Sequence, residues 1–190
     1  MNKKGITLVI IGVLFLIIAG SLVFYNNYEN KKAGLKSKEA YNKIQDVLKE
    51  INEENDIKEM KVVNIDGNEY IATINIPSLN LELPVMSDWD YNKMKTSPCR
   101  YYGSIFTNDL VISAHSYDNL FGRIKTLNQG DLLILTDMNH DEYVYEVEVI
   151  EVLSPNDVKE MIESEFDLTL YTCTSDTLNR VTVRLNRVDL

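Results

Sequence analysis

The chain has 190 residues, 45% of them hydrophobic and 25% charged, which suffices for one membrane segment and one domain with a real core but not for two large domains. Its formal net charge of −10 argues against a nucleic-acid backbone as partner, because phosphate binding needs a basic face and the lysines and arginines are nowhere concentrated. A solvated acidic surface is the plain reading of that charge.

Residues Ile6 to Phe24 form a run of 19 residues without a charge, long enough for a bilayer core and longer than the apolar stretch of a secretory signal. Ala19-Gly20-Ser21 makes only a poor cleavage site, so the segment 1–28 reads as an uncleaved signal-anchor rather than a removed leader. Lys3 and Lys4 precede the run while Lys31, Lys32, Lys36 and Lys38 follow it, so charge alone leaves its orientation open. In the juxtamembrane stretch 29–60, Ala40, Tyr41, Ile44, Val47, Leu48 and Ile51 carry the three-and-four spacing of an amphipathic helix. That helix is expected over about Ser37–Glu53, ended by Glu53-Glu54-Asn55-Asp56.

From residue 61 to 190 the pattern changes to that of a β domain. Val62–Ile65 and Glu69–Ile76 flank Asp66-Gly67, a pair that supplies the positive dihedrals of a tight hairpin. Further strands are expected at Leu79–Val85, Tyr101–Phe106, Leu110–His115, Leu132–Thr136, Tyr143–Leu153, Leu168–Thr174 and Arg180–Val188. Two helical insertions interrupt them, Asn119–Leu127 and Pro155–Ile162, the second with Pro155 in its first turn and Asp157 complementing its dipole. Short strands at this spacing point to a barrel or sandwich and away from a parallel α/β sheet.

Chemistry concentrates in the last two strands. Alternation places Thr169, Tyr171 and Cys173 on one face, with Leu168, Leu170 and Thr172 on the other; on the return strand Arg180, Thr182 and Arg184 oppose Val181, Val183 and Leu185. Such a hairpin can hold a nucleophile and a fixed positive charge at one rim of a sheet, which suits attack on a carbonyl and stabilisation of the oxyanion. The chain has two histidines. His115 closes the apolar run Leu110-Val111-Ile112-Ser113-Ala114, a strand-end position suited to proton transfer, whereas His140 sits in a polar turn, Asp137–Glu142, and reads as a solvated loop residue without distinctive metal-ligand spacing. Arg184 is the rival to Arg180, but it lies about 13 Å farther along the strand, so the two cannot serve the same thiol. Thr172, which precedes the thiol, is a candidate to shape the oxyanion or substrate site, although threonine is also an ordinary strand residue.

Thr169-Leu170-Tyr171-Thr172-Cys173, together with His115 at a strand end and Arg180 opening the next strand, resembles the signature of the sortases, the cysteine transpeptidases of Gram-positive cell surfaces. Ile71–Pro77 continuing to Leu83-Pro84-Val85 resembles the opening strands of that family, and Tyr102-Gly103-Ser104-Ile105-Phe106 resembles a class B segment; Ala72, where many members carry Gly, and the short Cys-to-Arg loop depart from the pattern. The resemblance implies a mainly β fold, an eight-stranded β-barrel with short helical insertions behind a transmembrane helix and an amphipathic helix. It implies Cys173 as nucleophile, His115 as acid and base, and Arg180 as oxyanion or substrate ligand, with no cofactor and no metal. The implied reaction cleaves a Leu-Pro-x-Thr-Gly-like sorting signal between Thr and Gly through a thioester on Cys173, with hydrolysis as a side reaction. The implied partners are surface proteins bearing a C-terminal sorting signal and an amine acceptor from a peptidoglycan precursor or a pilin, at the cell membrane with a single span and an extracellular catalytic domain.

The alternative reading is a membrane-tethered extracellular β-domain that binds a partner, with Cys99 and Cys173 joined in a structural disulfide or left as inert thiols. Cys99, in the turn-like Thr96-Ser97-Pro98-Cys99-Arg100, is expected to be a small buried or loop residue, which leaves Cys173 free to react.

Overall fold

The computed structural model describes residues 3–49 and 59–188. They divide into two compact units, residues 1–32 and 33–190. A single helix, α1 (Lys3–Leu48), runs through the first unit and into the second. In the first unit its side chains stand outward, with Leu8, Leu16 and Phe24 each 70% exposed or more. By length and composition this part is a candidate membrane span. The apolar run and the expected amphipathic helix are thus one continuous element; the expected stop at Glu53–Asp56 lies outside the described residues.

In the second unit the later half of α1 obeys its three-and-four pattern. Ala33, Ser37, Ile44 and Leu48 are buried, and Ile44 and Leu48 join Ile65, Tyr70, Met86, Met94, Cys99 and Met138 in one apolar cluster. Lys43 caps this contact by pairing with Glu39 on the helix and with Asp66 of the first hairpin. Ile44→Ala is expected to cost about 2–5 kcal/mol, the usual loss for a buried isoleucine, read as a lower denaturant midpoint; a midpoint unchanged from wild type would mean that the helix contributes nothing to this unit.

The β domain is built from β1 (Val63–Ile65), β2 (Asn68–Ile76), β3 (Leu81–Met86), β4 (Cys99–Tyr102), β5 (Leu110–Ser113), β6 (Leu132–Asp137), β7 (Glu142–Leu153), β8 (Leu168–Cys173) and β9 (Arg180–Val188). Their order is β1-β2-β3-β4-β5-β8-β9-β7-β6, and β2 also pairs with β6, from Ala72↔Asp137 to Asn75↔Ile134. That pairing closes β2 to β9 into an eight-stranded barrel, as expected, with β1 appended as a hairpin at Asp66 (φ 52°) and Gly67 (φ 79°). The barrel is filled by the inward alternates, among them Ile74, Leu83, Ile112, Leu135, Tyr145, Leu168, Leu170, Val183 and Leu185.

Several boundaries differ from the sequence expectation, each for a local reason. The strand expected at Tyr101–Phe106 lies at Cys99–Tyr102, because Gly103 turns the chain at φ 70° against the Asp109 backbone, with no room for a side chain. Leu79 belongs to a 3-10 turn, Pro77–Leu79, ended by Asn80 in the left-handed region, so β3 begins at Leu81. The insertion after His115 is a chain of turns with one 3-10 segment, Ile124–Thr126. The second insertion is a short helix, α2 (Val158–Ile162), with Asp157 at its N-cap position and Pro155 in the preceding turn.

Candidate active site

The central strands of the site come from distant parts of the chain. β5 and β8 run parallel in the register Leu110↔Leu168 to Ser113↔Tyr171. Two further bonds carry that register past the end of β5: Ala114 N–H donates to Tyr171 O at 3.3 Å, and the Thr172 hydroxyl donates to Ala114 O at 2.8 Å. Continued one residue more, the register sets His115 beside Cys173. There the chain bends away, and His115 N–H donates to Met94 O at 3.0 Å. On the other side β8 and β9 pair antiparallel, with Cys173 directly opposite Arg180. Arg180 is thus paired with Cys173, and the continued register brings the backbone of His115 to the same end of the sheet, with all three residues half-buried.

Alternation decides the face. Leu168 and Leu170 point into the barrel core, so Tyr171 and Cys173 point out of it. Beside the thiol, Tyr171 forms an apolar floor with Val111 and Met161, flanked by Tyr101, Leu153 and Ile162. Tyr101 meets Tyr171 edge-on at 5.4 Å, and Trp89, 44% exposed, meets Tyr101 in the same way at 6.2 Å. This aromatic row was not legible from the strand pattern, because it is assembled from β4, β8 and the segment before β4.

The loop that separates Cys173 from Arg180 is held internally. Thr174 N–H donates to Asn179 O at 2.9 Å, Asn179 N–H to the Thr174 hydroxyl at 3.0 Å, and the same hydroxyl donates to Asp176. That bond holds the Asp176 carboxyl below the usual range. Arg180 spends one N–H on Asn179 O at 3.1 Å. Thr172 faces inward, and its hydroxyl ties β8 to Ala114 instead of reaching the thiol's face.

Around His115, burial is the main influence and Lys95 the second; both keep the imidazole below its ordinary range. Its Nδ1 is buried without a hydrogen-bond partner among the described residues. The ring lies instead against Tyr117, centroids 4.0 Å apart and planes tilted 33°. His140 is exposed in its turn, as expected, and at φ 70° its Nε2 also lies within hydrogen-bond reach of the Leu48 carbonyl at the end of α1.

Arg184 is buried, 3% exposed, and fully engaged elsewhere. It donates to Glu151 at 2.8 Å, to the Thr169 hydroxyl at 3.0 Å and to the α2 carbonyls of Glu160 and Met161 at 2.7 and 3.3 Å. Both thiols are free, so the disulfide of the alternative reading is not formed. Cys99 opens β4 instead of lying in a turn; wholly buried, it donates to Ser97 O, and burial pushes its thiol up to about 12.

A closed eight-stranded barrel with a half-exposed thiol at a strand end, a guanidinium opposite it and an imidazole two residues past the end of the adjoining strand carries the kinds of group that cysteine acyl transfer uses. The Sortase domain profile matches residues 74–188, and the chain belongs to the sortase family. It is 28% identical to "Sortase A" of Bacillus anthracis over 92% of this chain and 90% of that protein, and 24% identical to "Sortase D" of Bacillus subtilis (strain 168) over 90% and 89%. Among solved structures it is similar to sortase C1 from Streptococcus agalactiae, with a TM-score of 0.58 and 28% identity over 67% of this chain and 72% of that one. These names span three classes, so the match is to the family, a family of cysteine transpeptidases acting on surface proteins.

Proposed function

We infer that this chain is a membrane-anchored transpeptidase that cleaves a Leu-Pro-x-Thr-Gly-like sorting signal and transfers the surface protein to an amine. Segment 1–28 serves as tail and single-pass signal-anchor, 29–60 as the juxtamembrane stretch, and 61–190 as the extracellular catalytic barrel. The observation that carries the reading is the double register of β8, parallel to β5 and antiparallel to β9, which supports one rim for Cys173, His115 and Arg180. The apolar floor of Val111, Tyr171 and Ile162 beside the thiol suits the Leu-Pro part of such a signal.

In the reaction, His115 as neutral imidazole takes the Cys173 proton, and the thiolate adds to the threonine carbonyl carbon. Arg180 donates to the resulting oxyanion, with Thr172 contributing through its backbone position. Collapse breaks the Thr–Gly C–N bond, the imidazolium gives its proton to the departing glycine amine, and a thioester remains. An incoming amine, from a peptidoglycan precursor or a pilin, then attacks that carbonyl, loses a proton to His115 and expels the thiolate. The test is to incubate the full chain in detergent with sorting-motif peptides and an amine acceptor and to look by mass spectrometry for an acyl adduct on Cys173 and an amide product. A chain that binds such peptides without forming either is a binding module.

His115→Ala is expected to slow turnover by roughly 10² to 10⁴, the usual share of a general acid–base, while His140→Ala lowers the melting temperature through the lost contact to α1 and spares the chemistry. Equal kinetic losses would mean that His115 is not the proton carrier. Because burial favours the neutral imidazole, the acidic limb of the bell-shaped pH profile should fall below about 6.5, the ordinary histidine value; a limb above that value would contradict the lowered basicity.

A further inference from the structure

A catalytic imidazole is commonly oriented by a third group that accepts a hydrogen bond from its second nitrogen. Here His115 Nδ1 is buried with no such partner among the described residues, so its orientation needs another source. Tyr117 supplies a ring whose centroid lies 4.0 Å from that of the imidazole, and it is itself packed against the barrel core. Two residues apart on a bent chain, the rings come together only because the loop itself is fixed.

That loop is fixed at several points. Leu120 and Gly122 N–H groups both donate to Tyr117 O at 2.9 Å, and Phe121 N–H donates to His115 O at 3.3 Å. Arg123 donates to Asp118 O at 3.0 Å and to Leu79 O at 2.7 Å, pinning the turn to the end of the 3-10 segment before β3. At Gly122 a Cβ would stand 2.5 Å from Ser116 O and 2.9 Å from Tyr117 O, so the turn closes tightly enough only with glycine there. The same turn meets α1, where Gly34 lets the helix approach Asn119, whose side chain a Cβ would overlap at 2.7 Å.

We propose that Tyr117 is a positioning residue that sets the orientation of the His115 imidazole by lying against its face. The inference rests on His115 acting as the proton carrier, and it assigns to the ring of Tyr117 the part that a carboxylate plays in other triads. The phenol is not needed for this; the flat apolar face is. The charged and titratable groups that face the imidazole are Tyr117 on its own loop and Lys95 before β4.

The presence of only two histidines makes the test direct. With the full chain in detergent and histidine ring carbons labelled, NMR titration follows His115 and His140 separately, His140 being the internal control. Tyr117→Ala should move the His115 midpoint up, leave His140 in place, and lower the rate of acyl transfer by roughly three- to tenfold, the range open to one aromatic contact, with KM for the peptide unchanged. Tyr117→Phe should restore both the midpoint and most of the rate. Should Tyr117→Ala fail to fold, Tyr117→Leu, which fills the space without a flat face, takes its place. An unmoved His115 midpoint, a Tyr117→Phe variant as impaired as Tyr117→Ala, or a His140 midpoint that moves in step would each overturn the inference. A failure of the transpeptidase reading is seen separately, as a wild-type chain without acyl adduct or a harmless His115→Ala, and the titration still decides whether Tyr117 sets the imidazole's surroundings.

Discussion

Cys173→Ala is expected to abolish acyl transfer, by a factor on the order of 10⁶, the loss that follows removal of the nucleophile from a comparable covalent mechanism. The side chain is half-exposed and outside the barrel core, so its truncation leaves no large cavity and the fold should melt as the wild type does. Cys99→Ser gives the opposite pair of results. Its thiol is wholly buried in the cluster under α1, and a hydroxyl placed there costs about 1–3 kcal/mol of stability, while turnover below the melting transition is kept. Thermal melts and mass-spectrometric detection of the acyl adduct on both variants distinguish the roles. Residual transfer well above background in Cys173→Ala would remove the nucleophile assignment.

Arg180→Ala is expected to slow single-turnover acylation by roughly 10² to 10³, the usual loss for one oxyanion donor. Arg180→Lys should recover only part, since an ammonium keeps the charge but not the planar fork. Arg184→Ala has a different character. Removing it leaves the Thr169 hydroxyl and two carbonyls of α2 without their donor, at about 1–3 kcal/mol for each buried group left unsatisfied, a sizeable share of the 5–15 kcal/mol typical of a domain. Its activity should fall with temperature as the chain unfolds, while the rate per folded molecule stays near wild type. If Arg184→Ala slows acylation in a fully folded sample by more than Arg180→Ala does, the oxyanion donor has been misassigned.

The hairpin of β8 and β9 was legible because a two-residue period states which side chains share a face, while the pairing of Cys173 with Arg180 was set by the loop between them. His115 was legible as the end of an apolar run. What the sequence withheld was whatever depends on a partner from a distant segment. Arg184 alternates with Arg180, and nothing in that alternation reveals that α2 turns its last carbonyls toward it. Cys99 follows a proline and so reads as a turn, but pairing with Ser113 of β5 on one side and Met86 of β3 on the other makes it the start of a strand. His140 sits among polar residues whose local pattern gives no sign of the helix end that receives it. The ring contact of His115 with Tyr117 had a faint local signal, two aromatic rings at positions i and i+2, but needed the loop closed at Gly122 to become a contact.

The parallel pairing of β5 with β8 has a consequence for when reactivity begins. The strands that bring His115 to Cys173 are far apart in the chain, 58 residues at the Thr172–Ala114 bond, and such pairings form late because the closure entropy of the intervening segment must be met first. Before that pairing forms, the local β8–β9 hairpin can set Arg180 opposite Cys173, but the His115 segment is not yet beside it. The fold thus ties the site to its own topology: the His115 segment reaches the side of Cys173 only through a long-range pairing, and on refolding from denaturant the return of full thiol reactivity should coincide with that pairing instead of with initial collapse.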